Sequence, residues 1–138
     1  MSQIQVHVLN ATELPNMDFL DKTDAYVKVT MGGKEVLRTK VIDNNLNPVW
    51  DEKATVMWDG TSDLLFSIWD SDLLTSDDWV GQYLISKHQI KKGFKGAVPL
   101  NVGTKFKKGS GSKQPTLTIK VVPPDPGCCG TPYSESYY

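Results

Sequence analysis

Seven aspartates crowd into two short stretches of the chain. Asp18, Asp21 and Asp24 lie in one, and Asp70, Asp72, Asp77 and Asp78 in the other. If the two stretches face each other, their carboxylates repel by roughly 1 kcal/mol per close pair in water, and by more in a partly dry cleft. A cation relieves that repulsion. Only oxygen donors are at hand, with no histidine or cysteine nearby, which points to calcium rather than zinc or copper. Calcium takes about 6–8 oxygens and tolerates bidentate carboxylates and backbone carbonyls, which suits two flexible loops better than magnesium's tight octahedron does. The pair Asp70-x-Asp72 adds geometry. In an extended segment residues i and i+2 point the same way, so both carboxylates can grip one ion, with the Ser71 carbonyl between them. Any single aspartate in a loop is as well explained as a turn former. Seven in two loops are not. An EF-hand fits poorly, because counting from Asp70 its glycine position holds Thr75 and its terminal glutamate position holds Gly81.

The elements that must position these loops read as strands. Ile4, Val6 and Val8 alternate with Gln3, Gln5 and His7, and Val27, Val29 and Met31 with Lys28 and Thr30. Leu117, Ile119 and Val121 alternate with Thr118 and Lys120. Further strands are expected at 36–42, 55–58, 64–69, 80–85 and 97–100, with turn formers at Gly32-Gly33, Asn44-Asn45, Asp59-Gly60 and Lys92-Gly93. About eight short strands imply an all-β antiparallel sandwich or barrel. One helical turn is expected at 86–92, capped by Ser86. The domain is expected to span residues 1–122. The composition then changes at Pro123-Pro124, and residues 123–138 read as a flexible tail rich in Pro, Gly, Cys and Tyr.

The bulk numbers narrow the function. The chain has 138 residues, 39% of them apolar and 22% charged, with a formal net charge of −1. That balance favours neither nucleic acid nor an acidic partner as a whole, so any electrostatic function comes from local clustering. No run approaches the roughly 20 apolar residues that span a bilayer. The start Met1-Ser2-Gln3 lacks both signal-peptide character and a myristoylation glycine. The only cysteines, Cys128 and Cys129, are adjacent and in the tail, which suits a reducing cytoplasmic setting.

At this point the sequence resembles the C2 domain family, the calcium- and phospholipid-binding sandwiches of synaptotagmins and conventional protein kinases C. The resemblance covers residues 3–122. Leu14-Pro15-Asn16-Met17-Asp18 and Thr23-Asp24-Ala25-Tyr26-Val27-Lys28-Val29 match the family's first loop and following strand, with Ala25 where proline is usual. Lys40-Val41-Ile42 and Leu46-Asn47-Pro48-Val49-Trp50-Asp51-Glu52 match the next segment, with Asp51 in place of the usual asparagine. Phe66-Ser67-Ile68-Trp69-Asp70-Ser71-Asp72 with Asp78-Trp79-Val80-Gly81 matches the third calcium loop. The resemblance implies an eight-stranded Greek-key sandwich of the family's type II permutation, since a strand at 116–122 follows the rest and none precedes Ile4. It implies two or three Ca2+ ions, held by Asp18, Asp24, Asp70, Asp72 and Asp78 and by the carbonyls of Phe19 and Ser71. Asp21 and Asp77 fall on no ligand position and are expected to be solvated. The middle loop, around Asp43 to Asn47, is expected to contribute mainly shape.

Apolar residues flank the ligands. Leu20, Leu73 and Leu74 are expected to dip into a membrane, with Phe19 as apt to fold back. The implied partners are anionic phospholipids, phosphatidylserine and phosphoinositide, with no nucleic acid. A basic patch of Lys28, Arg38 and Lys40 lies where the family sometimes binds phosphoinositide, although a solvated face is the simpler account. Lys105, Lys107 and Lys108 are expected to be solvated, and His7 and His88 to be ordinary surface residues. The expected molecule is a monomer, cytoplasmic and reversibly membrane-associated, with the tail free for a protein partner or for acylation of Cys128 and Cys129. The competing class is a calcium-independent protein-interaction module, which lipid-free calorimetry separates. Catalysis is not expected: the chain has no G-x-S-x-G, no phosphate loop and no Cys/His pair at a strand end.

Overall fold

The computed structural model describes residues 2–15, 22–102 and 114–124. They form two antiparallel sheets packed face to face. Among the described residues there are nine strands: β1 (Ser2–Thr12), β2 (Ala25–Met31), β3 (Lys34–Arg38), β4 (Val49–Trp58), β5 (Leu64–Asp70), β6 (Asp78–Ile85), β7 (Phe94–Pro99), β8 (Asn101–Val102) and β9 (Thr116–Val122). One helix, α1 (Lys87–Lys92), lies between β6 and β7. The first sheet runs β4-β1-β9-β7 and the second β3-β2-β5-β6-β8. The last strand therefore pairs with the first, the permutation that the resemblance implied.

The inward positions of both sheets make one core. Ile4, Val6 and Val8 of β1 and Leu117, Ile119 and Val121 of β9 face Val27, Val29, Phe66 and Ile68 from the second sheet, all buried. Alternation with period two produces this directly, because every second side chain points to the same face. Trp50 ties the layers together. It is 2% exposed on β4 and donates its ring N–H to the Ala25 carbonyl on β2 at 3.2 Å.

The strand count differs from expectation by one. β8 has two residues, too short to show a period, and pairs with β6 only at Gly81 and Gln82. Gly81 permits the pairing: a Cβ there would sit 3.1 Å from Val102 Cγ1 and 3.2 Å from the Asn101 carbonyl. The expected strand at 36–42 is shorter and starts earlier. After Arg38 the buried Thr39 donates its N–H to the Val27 carbonyl and accepts from the Val27 N–H, and pairing resumes only at Ile42. β4 begins at Val49 rather than at 55, and a bulge with Asp51 at φ 49° absorbs the register shift. Gly32 and Gly33, at φ 58° and 81°, close the two-residue β2–β3 hairpin, which requires positive φ at both positions. The expected turn of helix is present, and Ser86 and Gln89 form a reciprocal capping box. β9 is followed by Pro123, which is buried, and Pro124; the rest of the proposed tail, with Cys128 and Cys129, lies outside the described residues.

Candidate functional site

Three adjacent strands of the second sheet end together. In register, Ala25 of β2 is opposite Asp70 of β5, and Asp70 is opposite Asp78 of β6. Asp24 directly precedes β2, so Asp24, Asp70 and Asp78 gather at one end of the sandwich. Asp70 is 7% exposed, and its Oδ1 accepts the Asp24 N–H at 2.9 Å. The Ser71 N–H donates to the Asp24 carbonyl at 2.9 Å, which pins the first residue of the following loop. Asp24 Oδ1 accepts the Asn44 N–H at 2.7 Å.

The middle loop clasps the first one. Besides that contact, Asn44 Oδ1 accepts the Lys22 N–H at 2.7 Å, and the Asn45 N–H donates to the Thr23 carbonyl at 3.1 Å. Its contribution to the site is thus backbone support beneath Asp24.

The loop from Ser71 to Asp77 is built on its own carboxylates. Asp72 Oδ1 accepts N–H groups of Leu74 at 2.9 Å and Thr75 at 3.3 Å, and its Oδ2 accepts the Thr75 hydroxyl at 2.7 Å. The Leu74 N–H and the Thr75 hydroxyl hold the Asp72 carboxyl below its ordinary range. Asp77, read from sequence as solvated, is instead the anchor of this loop. It accepts the Tyr26 hydroxyl from β2 and the Asp72 N–H, the latter at 3.0 Å. The Tyr26 hydroxyl, then the Asp72 N–H, lowers the Asp77 carboxyl, while burial and then the hydrogen bond to Asp77 push Tyr26 up to about 12. Tyr26 and Asp77 are 51 positions apart, and no local motif joins them.

Among the described residues, Asp24, Asp70, Asp72 and Asp78 do not by themselves close a group of three or more metal-ligating side chains. Asp18, Phe19, Leu20 and Asp21 lie outside the described residues, as do Lys105, Lys107 and Lys108. The donor set is nevertheless of one kind: hard carboxylate and carbonyl oxygens on adjacent strand ends, with no nitrogen or sulfur donor among them. That chemistry fits calcium. Leu73 and Leu74 stand 98% and 94% exposed on the same loop as Asp72.

The basic patch is less free than its composition suggests. Lys28 and Arg38 are direct partners across β2 and β3. The Arg38 guanidinium grips Glu35 through two nitrogens, at 2.8 and 3.2 Å, and stacks over the Tyr26 ring at 5.5 Å. Lys28 Nζ lies 4.5 Å from the centre of the Trp69 ring. Lys40 is exposed, and its N–H is held by Glu52 at 2.8 Å. His7, read as an ordinary surface residue, is half-buried and bonded through Nε2 to Asp51 Oδ1 at 2.8 Å.

Known proteins resemble the chain in sequence and in fold. The C2 domain model matches residues 2–102. The human Multiple C2 and transmembrane domain-containing protein 1 is 36% identical over 92 residues, which is 66% of this chain and 9% of that protein. A C2 and GRAM domain-containing protein of Arabidopsis thaliana is 41% identical over 85 residues, 61% of this chain and 8% of that protein. The chain therefore spans less than a tenth of the length of either relative. Among solved structures, a C2 domain of plant Extended Synaptotagmin 1 superposes with a TM-score of 0.72 at 21% identity, over 90% of this chain and 95% of that one. The calcium-bound tandem C2 domains of Extended-Synaptotagmin 2 give 0.69 at 21% identity, over 87% of this chain and 44% of that one. At these identities the structures bear on the fold, and the family match covers most of the folded residues. This chain belongs to the C2 domain family.

Proposed function

We propose that this chain is a calcium-dependent module that docks on anionic phospholipid membranes through the aspartate-bearing end of its sandwich. The observation that carries the reading is the convergence of Asp24, Asp70 and Asp78 on three neighbouring strand ends, with Leu73 and Leu74 exposed on the loop between the last two. Asp18, Asp24, Asp70, Asp72 and Asp78, with the carbonyls of Phe19 and Ser71, would hold two or three Ca2+ ions. Calcium, when bound there, neutralises the carboxylates and offers open coordination positions to lipid phosphate or carboxylate oxygens.

The chain's own residues do the rest. Asp70 and Ser71 fix the backbone of Asp24, and Asn44 supports it from the middle loop. The Tyr26–Asp77–Asp72 chain holds the third loop to the sheet. Leu73 and Leu74, with Leu20, enter the headgroup region. Lys28 stands beside the site as a secondary contact for an anionic headgroup, joined by Lys40 and by Arg38, whose charge is shared with Glu35. The strand framework need hardly move, so association is reversible and set by local charge. No helix among the described residues is long and apolar enough to cross a membrane. In this reading the module binds and does not catalyse, and a cytoplasmic membrane face is its place of action. The extended-synaptotagmin structure described as calcium bound supports the metal half of the proposal by likeness of fold.

The test is co-sedimentation with phosphatidylserine vesicles, in calcium and in chelator, of the wild-type chain and the double variant Asp70→Asn, Asp72→Asn. The wild type should pellet only in calcium, and the variant should stay in solution with its thermal unfolding intact. Equal pelleting of the wild type in calcium and chelator would falsify the proposal.

A further inference from the structure

Between Asp78 and Asp125 the chain carries nine lysines and no acidic residue. Three of the nine crowd onto α1, which holds Lys87, Lys91 and Lys92 beside His88, all exposed. At about 100° per residue these four side chains share an arc of roughly 140°. Ile90, fully buried, lies outside it. Helix stability does not explain the pattern. The helix dipole accounts for Lys91 and Lys92 in the last turn, but it disfavours Lys87 in the first, where no acid stands. Lys87 and Lys91 are also four apart, and like charges at that spacing weaken a helix. The helix is held instead by the Ser86–Gln89 capping box and by Ile90. Among the described residues the ion pairs are His7–Asp51 and Arg38–Glu35, and neither involves this helix. Two aspartates share this end of the fold, both turned to backbone. Asp63 Oδ1 accepts the Lys87 N–H at 2.8 Å, and Asp59 accepts those of Thr61 and Ser62.

Strand β6 sets where the helix stands. It runs from Asp78, opposite Asp70 at the loop end, to Ile85, opposite Leu64 at the other. Seven steps of about 3.3 Å part the two ends by roughly 23 Å, nearly three times the Debye length of about 8 Å at physiological salt. The field of a bilayer touched by the loops therefore fades before it reaches α1. We propose that α1 is a separate contact for an anionic lipid surface, so that one molecule joins two bilayers, with the loops on one and the helix on the other. The joining rests on the loop reading; the attraction of α1 for anionic lipid does not.

The size and chemistry of the helix select a lipid surface. Six residues at about 1.5 Å each make a helix roughly 9 Å long, far short of the ~800 Å² that each partner gives to a stable protein contact. The exposed arc holds no apolar or aromatic anchor of the kind that centres such a contact or stacks a nucleic-acid base. Phe94, which follows the helix, packs against the core. A bilayer asks for less. Clustered lysines within a Debye length of its surface gain attraction one by one, without register or a pocket.

The test uses vesicles of phosphatidylserine and phosphatidylcholine, read by co-sedimentation for binding and by dynamic light scattering for clustering. The proteins are the wild type, the triple variant Lys87→Gln, Lys91→Gln, Lys92→Gln, and the loop variant Asp70→Asn, Asp72→Asn. In calcium at physiological salt the wild type should pellet with vesicles and cluster them. The triple variant should pellet equally well but need about tenfold more protein to cluster them. Its thermal unfolding should match wild type, because the capping box and Ile90 remain. In chelator at low salt the loops contribute no attraction. There the loop variant should bind vesicles weakly and at least as well as wild type, and the triple variant should lose that binding. No clustering by the wild type, or equal clustering by the triple variant, overturns the proposal and leaves the helix to solvent or to a protein. A triple variant that pellets less in calcium also overturns it, by placing α1 on the same bilayer as the loops. So does wild-type clustering that tracks a protein dimer seen without lipid by sedimentation velocity. Failure of the loop reading shows separately, as vesicle binding at physiological salt that ignores calcium; the low-salt comparison then still decides the helix.

Discussion

Leu73 and Leu74 are adjacent, large and apolar, and folding leaves both almost wholly in water. Their backbone is nevertheless ordered, since the Leu74 N–H donates to Asp72. Side chains that gain nothing in the folded state are available to gain something elsewhere, at roughly 1.5–3 kcal/mol each when fully buried in an apolar phase and less at the headgroup level. Replacing both (Leu73→Ser, Leu74→Ser) should leave unfolding free energy within about 0.5 kcal/mol of wild type. It should also weaken calcium-dependent vesicle binding by about tenfold or more. Chemical denaturation and vesicle titration measure the two effects, and unchanged vesicle affinity would remove the leucines from the membrane contact. Asp77 teaches the complementary lesson at this scale. The resemblance gave it no ligand role, yet it joins Tyr26 on β2 to Asp72 in the loop, so its work is positional.

Among the elements, the connection from β4 to β5 shows how a turn is held by one carboxylate. Asp59 Oδ1 accepts N–H groups of Thr61 at 2.8 Å and Ser62 at 2.7 Å, and its Oδ2 accepts the Ser62 hydroxyl at 2.5 Å. The Ser62 carbonyl in turn accepts the Trp58 ring N–H at 2.8 Å, which fastens the turn to the core. The Ser62 hydroxyl first, then the backbone N–H groups of Thr61 and Ser62, lowers the Asp59 carboxyl from 3.8 to about 2. Because the folded value lies below the unfolded one, this stabilisation is full above the unfolded value and is lost as pH falls through the folded one. Asp59→Ala should therefore melt below wild type at neutral pH, and the gap should close between 3.8 and about 2. Thermal melts across that interval decide it: a gap that persists at the acid end would show that the charge is not what holds the turn.

At the scale of the whole molecule, the core and the site meet at Trp50. Its ring is buried between the sheets, and its N–H reaches the Ala25 carbonyl, one residue from Asp24. Trp50→Ala should cost about 3–5 kcal/mol by denaturant unfolding, from lost burial and the cavity left behind. It should also loosen the strand end that presents Asp24. A destabilisation under about 1 kcal/mol would mean that the two layers are joined mainly by other contacts.

What was legible in the sequence is what depends on near neighbours. Period-two alternation marked β1, β2 and β9, because burial of one sheet face imposes it. Ser86 marked the helix start, because an N-cap acts on the backbone within three residues of itself. The aspartates of the two loops were visible as a cluster that calls for a cation. By contrast, β8 was hidden by its two-residue length, and the early end of β3 by the inward turn of Thr39. The Tyr26–Asp77 and His7–Asp51 bonds were hidden for another reason. Each depends on the register between strands far apart in the chain, and a slip of one residue would send every side chain to the other face. Residue order was enough to place most of the strands and the family. Which distant charges stand side by side was settled by folding, because only sheet pairing converts sequence separation into distance.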